Sequence, residues 1–135
     1  MFYRKDYEIG RNNEIQLLDT FKKRFSLTLE LTNRFHTFDY HCENNKIYIE
    51  LKCRSNMKDK YESTMIGFNK IEKAILCSPQ YCIYFVFQFK DGLFYWKFNI
   101  NELKTFEIKQ GGRTDRGNPE ISKYVFIPIK ILKNI

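Results

Sequence analysis

The chain has few of the residues that usually announce a function. Its four cysteines, Cys42, Cys53, Cys77 and Cys82, form no Cys-x-x-Cys pair, and only two histidines, His36 and His41, are present. That spacing argues against a structural zinc site. No apolar run reaches transmembrane length. Tyr81 to Phe89 is apolar but strand-sized, so no membrane partner is expected. The start, Met1-Phe2-Tyr3-Arg4-Lys5-Asp6, lacks an apolar core after its basic residues. An intracellular protein, cytoplasmic or nuclear, with reduced thiols is expected. No repeat, linker or low-complexity block interrupts the chain.

What is present is a basic, aromatic-rich chain of one domain's length, 1–135. Lys plus Arg number 23 against 16 Asp plus Glu, a net charge of +7, and 17% of residues are aromatic. A small basic domain attracts polyanions, mainly nucleic acid or an anionic membrane. Ordinary solubility charge is the bland alternative. With 43% hydrophobic residues, a core can form without staples.

Hydrophobic periodicity predicts a helix starting within Gly10–Asn13 and running to about Arg24. Asn13 is a candidate N-cap, and Leu17, Leu18, Phe21 and Phe25 form its apolar stripe. Stepping back four residues from Leu18 puts Glu14 at the edge of that stripe. Its carboxylate either serves a site or simply favours the first helical turn. Two extended segments, about Arg34–Cys42 and Ile47–Arg54, follow, with Asn44-Asn45 as a hairpin turn. A polar loop around Met57–Ser63 precedes a helix over about Phe68–Leu76, with Phe68, Ile71 and Ile75 on one face. Gln80–Phe89 is expected to be a central strand buried on both faces. Asp91-Gly92 turns into a strand over Leu93–Ile100. A short helical turn capped by Asn101, an edge strand Phe106–Lys109, a loop Gln110–Glu120 and a closing strand Tyr124–Ile129 complete the chain. The class is α+β, with helices flanking a central mixed sheet in three layers.

Glu-x-Lys occurs three times: Glu50-Leu51-Lys52, Glu102-Leu103-Lys104 and Glu107-Ile108-Lys109. Context has to choose among them. If Asn44 and Asn45 are the turn, opposed residues have numbers summing to 89, and Asp39 faces Glu50. Their Cβ atoms would then lie roughly 4.5–5.5 Å apart. Lys52 shares the face of Glu50, while Ile47, Ile49 and Leu51 point the other way. Two opposed carboxylates repel, and a hard divalent cation relieves that repulsion. Asp39, Glu50 and the Leu51 carbonyl would hold Mg²⁺, with Mn²⁺ as a substitute. Lys52 would orient the attacking water and offset charge at phosphorus. The rival reading is a solvated hairpin face with an ordinary Glu–Lys pair.

Glu14 on the first helix, Asp39 on one strand and Glu50-Leu51-Lys52 on the next resemble the PD-(D/E)xK nuclease pattern. Phe38 stands where that pattern often has proline. Gly10-Arg11-Asn12-Asn13-Glu14, opening an amphipathic helix, is similar to the start of Holliday junction resolvase-like nucleases. Restriction- and homing-type endonucleases share the same centre. The resemblance implies a restriction-endonuclease-like αβββαβ core and hydrolysis of DNA, duplex or branched. It also implies that Glu14 joins the metal shell directly or through water.

Further candidates for DNA contact are Arg54 on the same strand face, Asn69 and Lys70 at the start of the second helix, and Arg113 and Arg116 in the glycine-bearing loop. A homodimer would supply two sites for two strands. The competing classes are a catalytically inactive nucleic-acid-binding module on the same fold and a basic assembly protein without metal.

Overall fold

Helix α1 covers Phe2–Arg24 and starts well ahead of the expected boundary. Gly10 and Asn13 are interior residues. No atom lies within 4 Å of where a Cβ on Gly10 would stand, so this glycine weakens the helix locally without ending it. Asn13 is not a cap; its amide donates to Gln88 Oε1 at 2.9 Å and to Cys53 Sγ at 2.6 Å. Lys22, Lys23 and Arg24 form the last turn, where cations complement the helix dipole. The computed structural model describes residues 2–33, 36–113 and 120–135, and the side chains of 8–33, 36–110 and 123–135.

Nine strands and two further helices lie among the described residues: β1 (Glu30–Leu31), β2 (Tyr40–Cys42), β3 (Ile47–Cys53), β4 (Ser63–Gly67), α2 (Phe68–Cys77), β5 (Cys82–Phe89), β6 (Gly92–Lys97), α3 (Ile100–Leu103), β7 (Glu107–Arg113), β8 (Glu120–Pro128) and β9 (Lys133–Asn134). The main sheet has the order β1-β2-β3-β5-β6-β9 and is mixed, because β3 and β5 run parallel while the other pairs are antiparallel. A parallel pair needs a long crossover. Here the crossover contains β4 and α2.

Each face of this sheet carries its own core. On one face Phe21 of α1 is fully buried against Tyr40, Ile49, Leu51 and Val86, with Leu17, Leu18 and Phe25 packed around it. Burying one such phenylalanine contributes about 1.5–3 kcal/mol. On the other face Phe85, Phe87 and Trp96 meet Ile71 and Ala74 of α2 and Val125 and Ile127 of β8. Strand β5 therefore feeds both cores by strict alternation, as a central strand should.

Several sequence expectations are corrected. Strand β8 does not close the main sheet; it is the centre of a second sheet, β4-β8-β7. The expected Gln110–Glu120 loop is shorter, since β7 runs to Arg113 and pairs it with Glu120. In α2 the buried face uses Ala74, while Ile75 is exposed. Asn99, not Asn101, caps α3, accepting from the N–H groups of Asn101 and Glu102. The second hairpin turns at Lys90-Asp91, and Gly92 opens β6 at φ +148°, a conformation that suits glycine. Among the described residues no helix is long and apolar enough to cross a membrane.

Candidate active site

The β2–β3 register is Tyr40↔Ile49, His41↔Tyr48 and Cys42↔Ile47, so opposed residue numbers sum to 89 as expected. The turn differs in detail. Four residues, Glu43 to Lys46, connect the strands, and the positive φ (53°) falls on Lys46 rather than on either asparagine. A symmetric four-residue loop keeps the register of a two-residue one.

The ladder changes at Asp39. Its N–H donates to the Ile49 carbonyl at 2.9 Å, although Tyr40 is the register partner of Ile49. Two residues thus face one, the pattern of a β-bulge. The Asp39 carboxylate takes the place of a ladder acceptor, and its Oδ2 receives the Leu51 N–H at 2.8 Å. An aspartate is a poor strand residue, but here it ends the ladder and is aimed by it. In an extended strand the N–H and C=O of one residue leave on the same side. The Leu51 carbonyl therefore leaves β3 on the side occupied by Asp39.

Glu50 lies on the neighbouring face and is 2% exposed. The polar face of this strand is covered by the α2 side of the fold, with Tyr48 packed into that core, so the rival reading of a solvated face does not hold at Glu50. Two ammonium groups reach the carboxylate: Lys52 Nζ lies 3.3 Å from Oε2, and Lys70 Nζ lies 3.6 Å from Oε1. Lys70 also donates to the Thr37 carbonyl. Even so, Glu50 Oε1 is buried without a hydrogen-bond partner among the described residues. Burial, then the charge of Asp39, raises the Glu50 pKa to about 7, against the opposing pull of Lys52 and Lys70.

Glu14 arrives from α1. Burial, then the charge of Asp39 and a hydrogen bond with it, raises the Glu14 pKa to about 7, while Arg11 opposes the shift. Arg11 Nη1 holds Glu14 Oε1 at 3.2 Å. The helix is pinned at this point by Tyr40, whose hydroxyl donates to the Glu14 carbonyl at 2.6 Å, and by the Asn13 bonds to Gln88 and Cys53. Glu14 and Glu50 both feel Asp39, which sits between them electrostatically.

The donor set fits a hard divalent cation. Such an ion takes one or two carboxylates and completes its shell with carbonyl and water oxygens. Asp39, the buried and unsatisfied Glu50 Oε1 and the Leu51 carbonyl are donors of that kind. Among the described residues no group of three or more His, Cys, Asp and Glu side chains is already gathered as a metal site.

The other expected contacts are placed differently. The Arg54 guanidinium is tied to β4, through Nε to Thr64 Oγ1 at 3.1 Å and through Nη2 to the Met65 carbonyl, and burial lowers its pKa. Asn69 is exposed at the start of α2, and its side chain lies where a Cβ on Gly67 would stand, at 2.7 Å. Arg113 ends β7, and its side chain lies outside the described set; Arg116 lies outside the described residues. Sequence reasoning missed the contact of Lys70 with Glu50 and the Asn13–Gln88 bond. Both are long-range, and neither leaves a periodic signal.

The acid at the strand-ending bulge, the buried Glu-x-Lys on the next strand and the helix-borne glutamate are the residues on which the sequence resembles the PD-(D/E)xK pattern. The whole chain, residues 1–135, matches the family described as "Phage putative PDDEXK endonuclease", and the protein belongs to that family. Comparison with curated proteins gave no match.

Proposed function

We propose that this protein is a divalent-metal-dependent endonuclease that hydrolyses DNA phosphodiester bonds. The observation that carries the reading is Glu50: a carboxylate at 2% exposure with an unsatisfied oxygen, coupled to Asp39 and contacted by Lys52. Burying such a group is costly unless a cation or a reaction uses it. The run α1-β1-β2-β3-α2-β5, with β4 diverted into the second sheet, supports an αβββαβ core.

In this reading Asp39, Glu50 and the Leu51 carbonyl hold Mg²⁺ or Mn²⁺, and Glu14 joins directly or through water. The bound cation supplies Lewis acidity to the phosphate and to a water. Lys52 orients that water and offsets the charge growing on the phosphoryl oxygens. Burial and the charge of Asp39 favour the protonated form of Glu14 in the metal-free protein, which lets it sit beside Asp39. The net charge of +7 favours encounter with a polyanion.

The test is incubation with supercoiled, branched and single-stranded DNA, with Mg²⁺ or Mn²⁺ and then with EDTA, alongside Asp39→Ala and Lys52→Ala. Metal-dependent cleavage that both substitutions abolish supports the proposal. Cleavage that survives Asp39→Ala overturns the site assignment. Salt-sensitive binding without cutting would leave a binding module.

A further inference from the structure

We propose that Lys70 is the resident counter-cation of the metal site: its ammonium stands in for the divalent ion at Glu50 Oε1 and is displaced when the ion binds. This rests on the metal-dependent reading above and adds to it how the site is held before loading.

Glu50 needs compensation for its burial. Lys52 sits on Oε2 at 3.3 Å, on the same strand face, where the motif places it. Oε1 is served differently. Lys70 comes from α2, across the core, and stops at 3.6 Å, an ion-pair distance without a hydrogen bond. Its donated hydrogen bond goes to the Thr37 carbonyl instead. The ammonium is therefore near the oxygen but not bonded to it.

A Mg²⁺ ion on Oε1 would sit at about 2.0–2.1 Å. With Lys70 Nζ at 3.6 Å from the same oxygen, the ammonium and an ion on Oε1 would compete for the charge of that oxygen. Lys70 has somewhere to go. Its side chain is 21% exposed, and only one backbone carbonyl retains it by hydrogen bonding among the described partners. A lysine is a compact charge on a flexible four-carbon stem, suited to such a move.

The fixed partners limit the alternatives. Arg54 is tied to Thr64 and Met65, and Arg11 is engaged with Glu14. Lys52 is bound closer to its own oxygen than Lys70 is. Lys70 is thus the cation that a metal ion on Oε1 would move at least cost.

Two measurements on the full chain without DNA test this. The first is acetylation of lysines read by mass spectrometry, with and without Mg²⁺ or Mn²⁺. Lys70 labelling should rise by about threefold or more on metal addition, as release from an ion pair exposes the amine, while Lys97 labelling stays constant. Unchanged or reduced Lys70 labelling overturns the proposal, and this arm needs no variant. The second is Mn²⁺ titration calorimetry on the native chain, Lys70→Met and Asp39→Asn. Removing the competing charge should tighten Mn²⁺ binding by about tenfold. Equal or weaker binding in Lys70→Met, with binding lost in Asp39→Asn, overturns the role of Lys70 and leaves the site reading standing. Native-like binding in Asp39→Asn overturns the site reading itself.

Discussion

Glu50–Lys52 and Glu107–Lys109 are the same three-residue pattern on two strands, and both ion pairs measure 3.3 Å. Their surroundings separate them. The Glu50 side chain is 3% exposed and the Glu107 side chain 65%. Glu50 lies on β3, paired on both sides, with α2 over its face; Glu107 lies on β7, at the edge of the second sheet. Glu50 has a second acid, Asp39, acting on it. The third copy differs again, because Glu102 Oε1 accepts the Trp96 indole N–H at 3.0 Å and so serves packing. A short motif thus acquires chemical meaning from burial and from its neighbours, and the distance within the pair carries none.

The largest expected difference is in activity. Lys52→Ala should reduce metal-dependent DNA cleavage by about a thousandfold or more, whereas Lys109→Ala should leave it within about twofold. Rates on supercoiled DNA measure both, and equal losses would erase the distinction. Next comes stability without metal. At pH 8, Lys52→Met removes a partner from a buried charge and should cost about 1–2 kcal/mol, a figure reduced because Lys52 is itself partly exposed. Chemical denaturation reads this directly.

The third difference is in pH dependence. The Glu14 and Glu50 pKa values are raised from 4.5 to about 7 in the folded chain. Between those values the folded state binds more protons than the unfolded state, so stability falls as pH rises. The metal-free melting temperature should therefore decline from about pH 5 to pH 8. Glu50→Gln should flatten part of that decline. A profile that rises over this window would contradict the burial of both acids. The smallest effect belongs to the surface pair: Lys109→Met should shift stability by less than about 0.5 kcal/mol, and less still in high salt.

Much of the β2–β3 hairpin was legible before any coordinates. Register follows from arithmetic about the turn, and alternation assigns Ile47, Ile49 and Leu51 to one face. Both hold. The bulge at Asp39 was not legible, because it depends on a side chain replacing a backbone acceptor. The start of α1 was missed because Gly10 and Asn13 look like a boundary locally, while Asn13 is in fact spent on Gln88, 75 residues away. The second sheet was missed because its three strands pair with one another and leave the main sheet.

The sequence by itself determined the hairpin register, the central character of β5 and the sharing of one strand by Glu50 and Lys52, since all three follow from local periodicity. Only the tertiary structure decided which Glu-x-Lys is buried, that Glu14 comes to interact with Asp39 and that Lys70 reaches Glu50. Burial and charge coupling are set by whatever packs over a strand, and those residues come from distant parts of the chain.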